Sequence, residues 1–416
     1  MKLFNKDRKP IENVQLSTGH IALRWIAVAV CLIVAVASIG YALNELLTVN
    51  AGWQEIEHIS SGITCAGDFV VSFDFGEGGA EATGTYRRIV KLYSDTAETA
   101  YWLFTKDQAH ETIVGMYAIN HAPNTVMTVD PVLYNAFAQV QAAGDRSIYL
   151  APLYAEHDSM LASDSDVFAA MRDPARDMEA AEFAARVAMY ANDPQHIDVE
   201  LLGNNQLKLH VSEEYLNWAE ANALDALVDF HWMKNAFIID YFADVLTQNG
   251  FTDGVISSED GFVRNLGVQD TMMFNVYDRM NDTSYLAAVM QYSGEKSIVS
   301  LRSFPVNQSD VQERYYIYDD GGVAVPHMNA QNGLRAQTFT TLIGYGQDAG
   351  CAEVLLKLLP IYTMEIPGAE DVRRLVQEGV ELVWCEDWTV YHTEAALNLT
   401  NLYQDEQVTY CADVFE

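Results

Sequence analysis

A chain of 416 residues, half of them hydrophobic and 20% charged, has the composition of a folded protein and length enough for two or three domains of roughly 100 to 200 residues. Its 58 Asp and Glu against 24 Lys and Arg give a formal net charge of -34. That excess excludes nucleic acid as a partner, because binding it requires basic groups that neutralise a row of phosphates.

Lys2, Lys6, Arg8, Lys9 and Arg24 precede WIAVAVCLIVAVASIGYAL, Trp25 to Leu43, an uncharged run of about the length that crosses a hydrocarbon core. Basic residues ahead of a span put residues 1–24 in the cytoplasm and everything after it outside. A transmembrane anchor at 25–43 carrying an extracytoplasmic domain is therefore expected. A cleaved signal peptide is the alternative, since Ala35-Val36-Ala37 resembles a small-residue cleavage site, but the apolar run continues past that point and favours the anchor. No cysteine follows these small residues in a lipoprotein arrangement.

Residues 44–61 read as a connector. Beyond it no long Pro, Gly or Ser linker and no repeat of solenoid spacing divides the chain, so one compact domain is expected over 62–403, followed by an acidic, solvated tail at 404–416. Alternation predicts strands at Phe69–Phe75, Ser297–Phe304, Arg314–Asp320 and Gln337–Gly346. Helices are predicted after Asp130, an N-cap with Pro131 at the first helical position, over Met178–Tyr190 and Glu213–Asp229, and over Asp348–Pro360, from a capping acid to a proline. In His231–Gly267, Ile238, Phe242, Val245 and Leu246 form one apolar helix face, Gly250 fits the C-terminal cap, and GVIS begins a strand. Asp240, on the opposite side of that helix, reads as solvated or paired. Helices and strands without regular alternation indicate an α+β architecture.

Five cysteines are present. Cys31 lies in the apolar run, and Cys65, Cys351, Cys385 and Cys411 could pair outside the cytoplasm in any of three connectivities. None has a close CxxC or His partner, so a zinc site is poorly supported. One staple, Cys385 to Cys411, is the candidate disulfide.

Read in order from about Gly62 to Tyr403, the segments CAGDFVVSFDF, YSDTAETAYWLFTKD, YAINHAPN, SIYLAPLY, MKNAFIID, SSEDGFVRNLG, HMNAQNG and AEVLLKLL resemble the ApbE family, the FAD:protein FMN transferases. The resemblance implies a T-fold-like mixed sheet and helix domain. It also implies an enzyme that takes FAD, holds the diphosphate with magnesium, and passes FMN to a threonine of a flavin-accepting partner protein, by positioning and charge neutralisation around a hard cation. On that resemblance Glu353 and Asp229 are the candidate metal ligands. Lys234, Lys357, Asp229, Ser147 and Gly261 are the candidate cofactor contacts, and His327 and Lys234 the candidate catalytic residues.

The chain departs from the pattern at several of these positions. The family's metal-binding Asp and Thr, four apart on one helix face, correspond to Glu353 and Lys357, and an ammonium has no acceptor with which to ligate magnesium. A surface pair worth about 0.3–0.5 kcal/mol is the plain alternative for those two residues. Phe262 stands where an Asp or Asn would read the flavin ring, and Asp260 and Gly261 replace paired glycines. Phe230 and His231 replace glycines and would crowd a close backbone approach. Asp229 lies one position from the expected metal-side Asp, Asn329 replaces another Asp, and Arg146 and Ser147 replace an aromatic residue and an Asp. Two functions follow: an anchored, extracytoplasmic FMN transferase, or a non-catalytic ectodomain that kept the frame, lost the metal site, and binds a flavin or a flavinylated partner.

Overall fold

The computed structural model describes residues 21–59, 62–335 and 338–415. Lys2, Lys6, Arg8 and Lys9 lie outside the described residues, as does Gln337. A nine-stranded sheet organises the molecule. Its strands run, in spatial order, Trp53–Glu55, Phe69–Asp74, Gly254–Ser258, Phe262–Asn265, Lys296–Arg302, Thr341–Gly346, Glu381–Glu386, Thr389–His392 and Cys411–Val414. All neighbours pair antiparallel except the last two, which pair in parallel.

Both faces of the central strands are covered, so their sequences read as nearly continuous apolar runs instead of alternating ones. Successive side chains nevertheless diverge to two different cores, as the two-residue period of a strand requires. Ile256, Phe262, Val299, Leu342 and Leu382 join the larger core beneath the helices. Val255, Val263, Ile298, Ile343 and Val383 join a second core on the opposite face. A three-stranded sheet of Asn398–Thr400, Thr283–Tyr292 and Met272–Met280 closes the second core. Helices Gly79–Phe104, Lys234–Gln248 and Cys351–Tyr362 pack over the first. Each fully buried Leu, Ile or Phe there contributes about 1.5–3 kcal/mol against exposure. The sheet approaches helix Cys351–Tyr362 so closely that a Cβ on Gly344 would stand 2.6 Å from Leu358 Cδ1.

Helix Lys234–Gln248 buries Ile238, Phe242 and Leu246, and ends where the Gly250 and Phe251 amides donate to Thr247 and Leu246 carbonyls, with Gly250 at φ +81°. Helix Pro131–Ala143 has Asp130 as its cap, its carboxylate accepting from the Val132 amide at 2.8 Å. Other boundaries differ from those expected. Helix Glu213–Ala221 stops short of Asp229, with Ala223 in the left-handed region at φ +53°. Arg314–Asp320 contributes only the two-residue strand Tyr316–Ile317. Helix Cys351–Tyr362 begins three residues after Asp348 and carries Pro360 inside its last turn, where only the preceding turn's hydrogen bond is lost.

The expected connector includes the edge strand Trp53–Glu55, and the expected solvated tail includes Cys411–Val414, whose backbone extends the sheet although its side chains stay exposed. That placement also corrects the disulfide. Thr389–His392 lies between the strands of Cys385 and Cys411, so two inter-strand spacings of about 4.8 Å separate them, beyond disulfide reach. All five cysteines are free thiols. The N-terminal helix, Ile21–Leu47, carries the apolar run, with side chains exposed from Trp25 to Gly40. Among the described residues no helix is long and apolar enough to cross a membrane.

Candidate functional site

A cavity of about 480 Å³ opens where the C-terminal end of helix Gly79–Phe104 and its following loop meet the first turn of helix Lys234–Gln248 and the turn at Glu259–Asp260. Four of the segments singled out in the sequence converge on it. CAGDFVVSFDF supplies Cys65 and Asp68, YSDTAETAYWLFTKD supplies Tyr101, Lys106 and Asp107, MKNAFIID supplies Lys234 and Asn235, and SSEDGFVRNLG supplies Glu259 and Asp260. Asp158, Asp229, His231, Trp232 and Arg314 complete the polar lining.

The wall that carries Asp229 is fixed from both sides. The buried Asn120 amide accepts from the Leu227 and Val228 amides at 2.8 and 3.0 Å and donates to the Val228 carbonyl at 2.8 Å. The Asp229 amide then donates to the Ile148 carbonyl at 2.8 Å. Asp229 in turn accepts from the His231 amide at 2.9 Å, turning the chain so that His231 adopts φ +42°. Glycine favours that left-handed backbone, and histidine is among the residues that tolerate it. His231 therefore adopts a backbone conformation that glycine favours. Its ring stacks on Tyr154 at 4.6 Å and its Nε2 sits 2.9 Å from Asp158 Oδ1, which holds the side chain aside.

Carboxylates outnumber cations in the lining: Asp68, Asp107, Asp158, Asp229, Glu259, Asp260 and Glu313 against Lys106, Lys234 and Arg314. Lys106 is paired with Asp107 at 2.7 Å and Arg314 with Asp310 at 2.9 Å. Lys234 makes no hydrogen bond or ion pair among the described residues, so its ammonium is the one of the three left for an anionic ligand. Burial pushes the Asp229 and Asp260 carboxyls above the usual carboxylate range, against the lowering effect of their hydrogen bonds and nearby cations.

Of the residues expected in the site, Lys234 and Asp229 line the cavity and the others do not. Gly261 stands behind the Asp260 turn at φ +102°, where a Cβ would lie 2.5 Å from the Ser300 carbonyl, so its need for glycine is structural. Ser147 is buried, with its hydroxyl donating to Asp145 at 3.1 Å. His327 packs edge-on to Trp232 and Tyr362. Burial, with Arg302 nearby, pulls its pKa down to about 3, which favours a neutral imidazole packed in the core. Glu353 and Lys357 close on each other at 2.8 Å, and Lys357 also donates to the Glu378 carbonyl at 3.0 Å. They form the surface pair foreseen as the plain alternative, with an energy below about 1 kcal/mol.

Magnesium requires several oxygen donors around one point. Glu353 and Asp229 are not brought together, and among the described residues no three His, Cys, Asp or Glu side chains converge to hold a metal ion. The residues expected to bind magnesium do not fit it. Residues that the motif comparison passed over are prominent instead. His231 and Asp260 entered only as replacements for glycine, and Lys106, Asp158, Asn235 and Arg314 come together only through the fold.

No protein-family model matches this chain, and no curated protein matches it. Among solved structures it is similar to the ApbE protein of Thermotoga maritima, with 11% identity, a TM-score of 0.53, and coverage of 84% of this chain and 97% of that one. It is similar to the flavin transferase ApbE of Vibrio cholerae at 11% identity and a TM-score of 0.53, covering 84% of this chain and 96% of that one. Over most of its length, then, this chain has the ApbE flavin-transferase fold.

Proposed function

We propose that this protein is a membrane-anchored, extracytoplasmic flavin-binding protein on the flavin-transferase frame, and that it does not itself transfer FMN. One observation carries this reading: Lys234 faces the cavity unpaired, while Glu353, at the position of a family metal ligand, is engaged by Lys357 outside it. A flavin phosphate gains the Lys234 ammonium, and the ring is accommodated against Tyr101, Phe104 and Ile238. Two of the components of FMN transfer, a metal ligand set and a protonatable histidine, are not supplied at the positions the resemblance indicates. Anchoring rests on the sequence alone, on the uncharged apolar run Trp25 to Leu43 and the basic residues before it. A flavin-accepting or flavinylated protein is the corresponding partner.

Full-length protein in detergent is expected to quench FMN fluorescence on binding, and Lys234→Ala is expected to weaken that binding at least tenfold, by about 1.4 kcal/mol or more. Incubation with FAD, a divalent cation and a threonine-bearing acceptor peptide is expected to leave the peptide mass unchanged. A mass gain equal to FMN would restore the transferase reading, and absence of FMN binding by the wild-type protein would remove the flavin reading altogether. Orientation is read from Cys411, an exposed thiol: a membrane-impermeant maleimide is expected to label it in intact cells, and labelling only after lysis would reverse the assignment.

A further inference from the structure

The cavity wall carries two buried acceptor atoms without a well-formed hydrogen bond. Asn235, 6% exposed, donates its amide to Asp260 Oδ2 at 2.9 Å, which leaves its own Oδ1 with no partner. Asp260 Oδ1, also shut off from water, makes no hydrogen bond of good geometry, although the Ser258 hydroxyl and the Arg314 guanidinium lie near the carboxyl. The two residues come from different elements, the first turn of helix Lys234–Gln248 and the turn before strand Phe262–Asn265, and the close approach of Gly261 to Ser300 fixes the second. Buried acceptors without donors cost roughly 1–3 kcal/mol each, and two of them side by side at a cavity wall mark a place for a ligand that brings donors.

The charge around them narrows the chemistry. Asp68, Glu259 and Glu313 also line the cavity, and the cation facing Asp260 is Arg314, already held by Asp310 at 2.9 Å and lying 3.9 Å from Glu259. Among the described residues no three carboxylate, His or Cys groups converge to hold a metal ion, so an organic donor fits where a metal does not. Two neighbouring acceptors, one of them a carboxylate, match the forked N–H donors of a guanidinium or amidinium group. We infer that Asn235 and Asp260 form a binding site on the cavity wall for a guanidinium-type cation, beside Lys234, whose ammonium would take an anion. The cation is either that of a small molecule or an arginine side chain offered by a partner protein, and the recognition chemistry is the same for both.

The probes are butylguanidinium, its neutral isostere butylurea, and a capped Ala-Arg-Ala peptide, titrated calorimetrically into the full-length protein in detergent, with FMN titrated in parallel. Butylguanidinium is expected to bind at least tenfold more tightly than butylurea. Asp260→Asn, which preserves shape and removes the charge, is expected to lower guanidinium affinity at least tenfold with a smaller change for FMN. Asn235→Ala, which removes the other acceptor, is expected to lower guanidinium affinity as well, with urea denaturation checking that the variant folds; Asp260→Asn keeps the test independent of that variant. Tighter binding of the peptide than of butylguanidinium identifies a protein side chain as the occupant, and the reverse identifies a small molecule. Equal affinity for guanidinium and urea, or no guanidinium binding at all, overturns the inference whether or not FMN binds. Guanidinium binding without FMN binding upholds this site and removes the flavin reading instead.

Discussion

Asp240→Ala is expected to lower the unfolding free energy by about 2–4 kcal/mol, measured by urea denaturation at pH 7. Asp240 is half-buried in helix Lys234–Gln248, and its carboxylate accepts from the Cys351 and Ala352 amides at 2.7 and 2.9 Å. Those are two of the unpartnered donors at the start of helix Cys351–Tyr362, so Asp240 caps a helix 111 residues away in sequence. A Cβ on Gly350 would stand 2.3 Å from Asp240 Oδ2, and Gly350→Ala is expected to destabilise through the same contact by displacing the cap.

The same group makes stability depend on pH. Burial raises the Asp240 pKa from 3.8 to about 6, against the lowering effect of the two amides. A carboxyl with a raised folded pKa binds its proton more tightly in the folded state. Between pH 3.8 and 6 the folded chain therefore holds more protons than the unfolded one, and this contribution to stability falls as pH rises through that window. The 2.2-unit difference corresponds to about 3 kcal/mol. Asp240→Asn cannot titrate, so the stability of the wild type relative to this variant is expected to decline by about 2 kcal/mol from pH 4 to pH 6.5. A difference that stays flat would mean that the carboxyl titrates near its unfolded value.

Asp240 also illustrates what could be read from the sequence. Its position opposite the apolar stripe of Ile238 and Phe242 was legible from the helical period, but its partners, far along the chain, were not. Helices with caps and stripes inside their own sequence, such as Pro131–Ala143 and Lys234–Gln248, were predicted closely because the deciding contacts are local. Strand Cys411–Val414 was read as tail because four exposed residues carry no burial pattern, and only the strand beside it makes them a sheet edge. Lys234 and Asp229 both line the cavity: Lys234 sits on a segment that retains the family order, and Asp229 lies one position from the family's metal-side Asp. Glu353 and Lys357 hold family positions as well, yet their side chains turn to each other, a direction that motif spacing does not encode. His231 was read as crowding a close backbone approach, whereas the Asp229 carboxylate accepts from its amide and the backbone takes a left-handed conformation despite the larger side chain.

Asp173→Ala is expected to cost about 3–5 kcal/mol, the effect of leaving a buried charge without its partner. Arg335 is 3% exposed at its side chain and lies 3.3 Å from Asp173, itself 5% exposed. Asp173 also accepts from the Tyr318 hydroxyl at 2.8 Å. Arg335 donates to His157 Nδ1 at 2.8 Å and to the Val325 carbonyl. His157 passes the constraint onward, since its Nε2–H donates to the Arg314 carbonyl at 2.8 Å and burial, followed by the Arg335 charge, holds the ring neutral in that tautomer. Loss of Asp173 leaves the guanidinium with neutral acceptors only. Replacing both partners, Asp173→Ala with Arg335→Met, removes the stranded charge and is expected to recover at least half of the lost stability in urea denaturation. If the double variant is no more stable than Asp173→Ala, the cost lies in the Tyr318 contact and packing and not in the charge. Because the chain of contacts ends at Arg314 on the cavity wall, the single variant is expected to perturb guanidinium binding as well, with recovery in the double variant tracking the return of that wall.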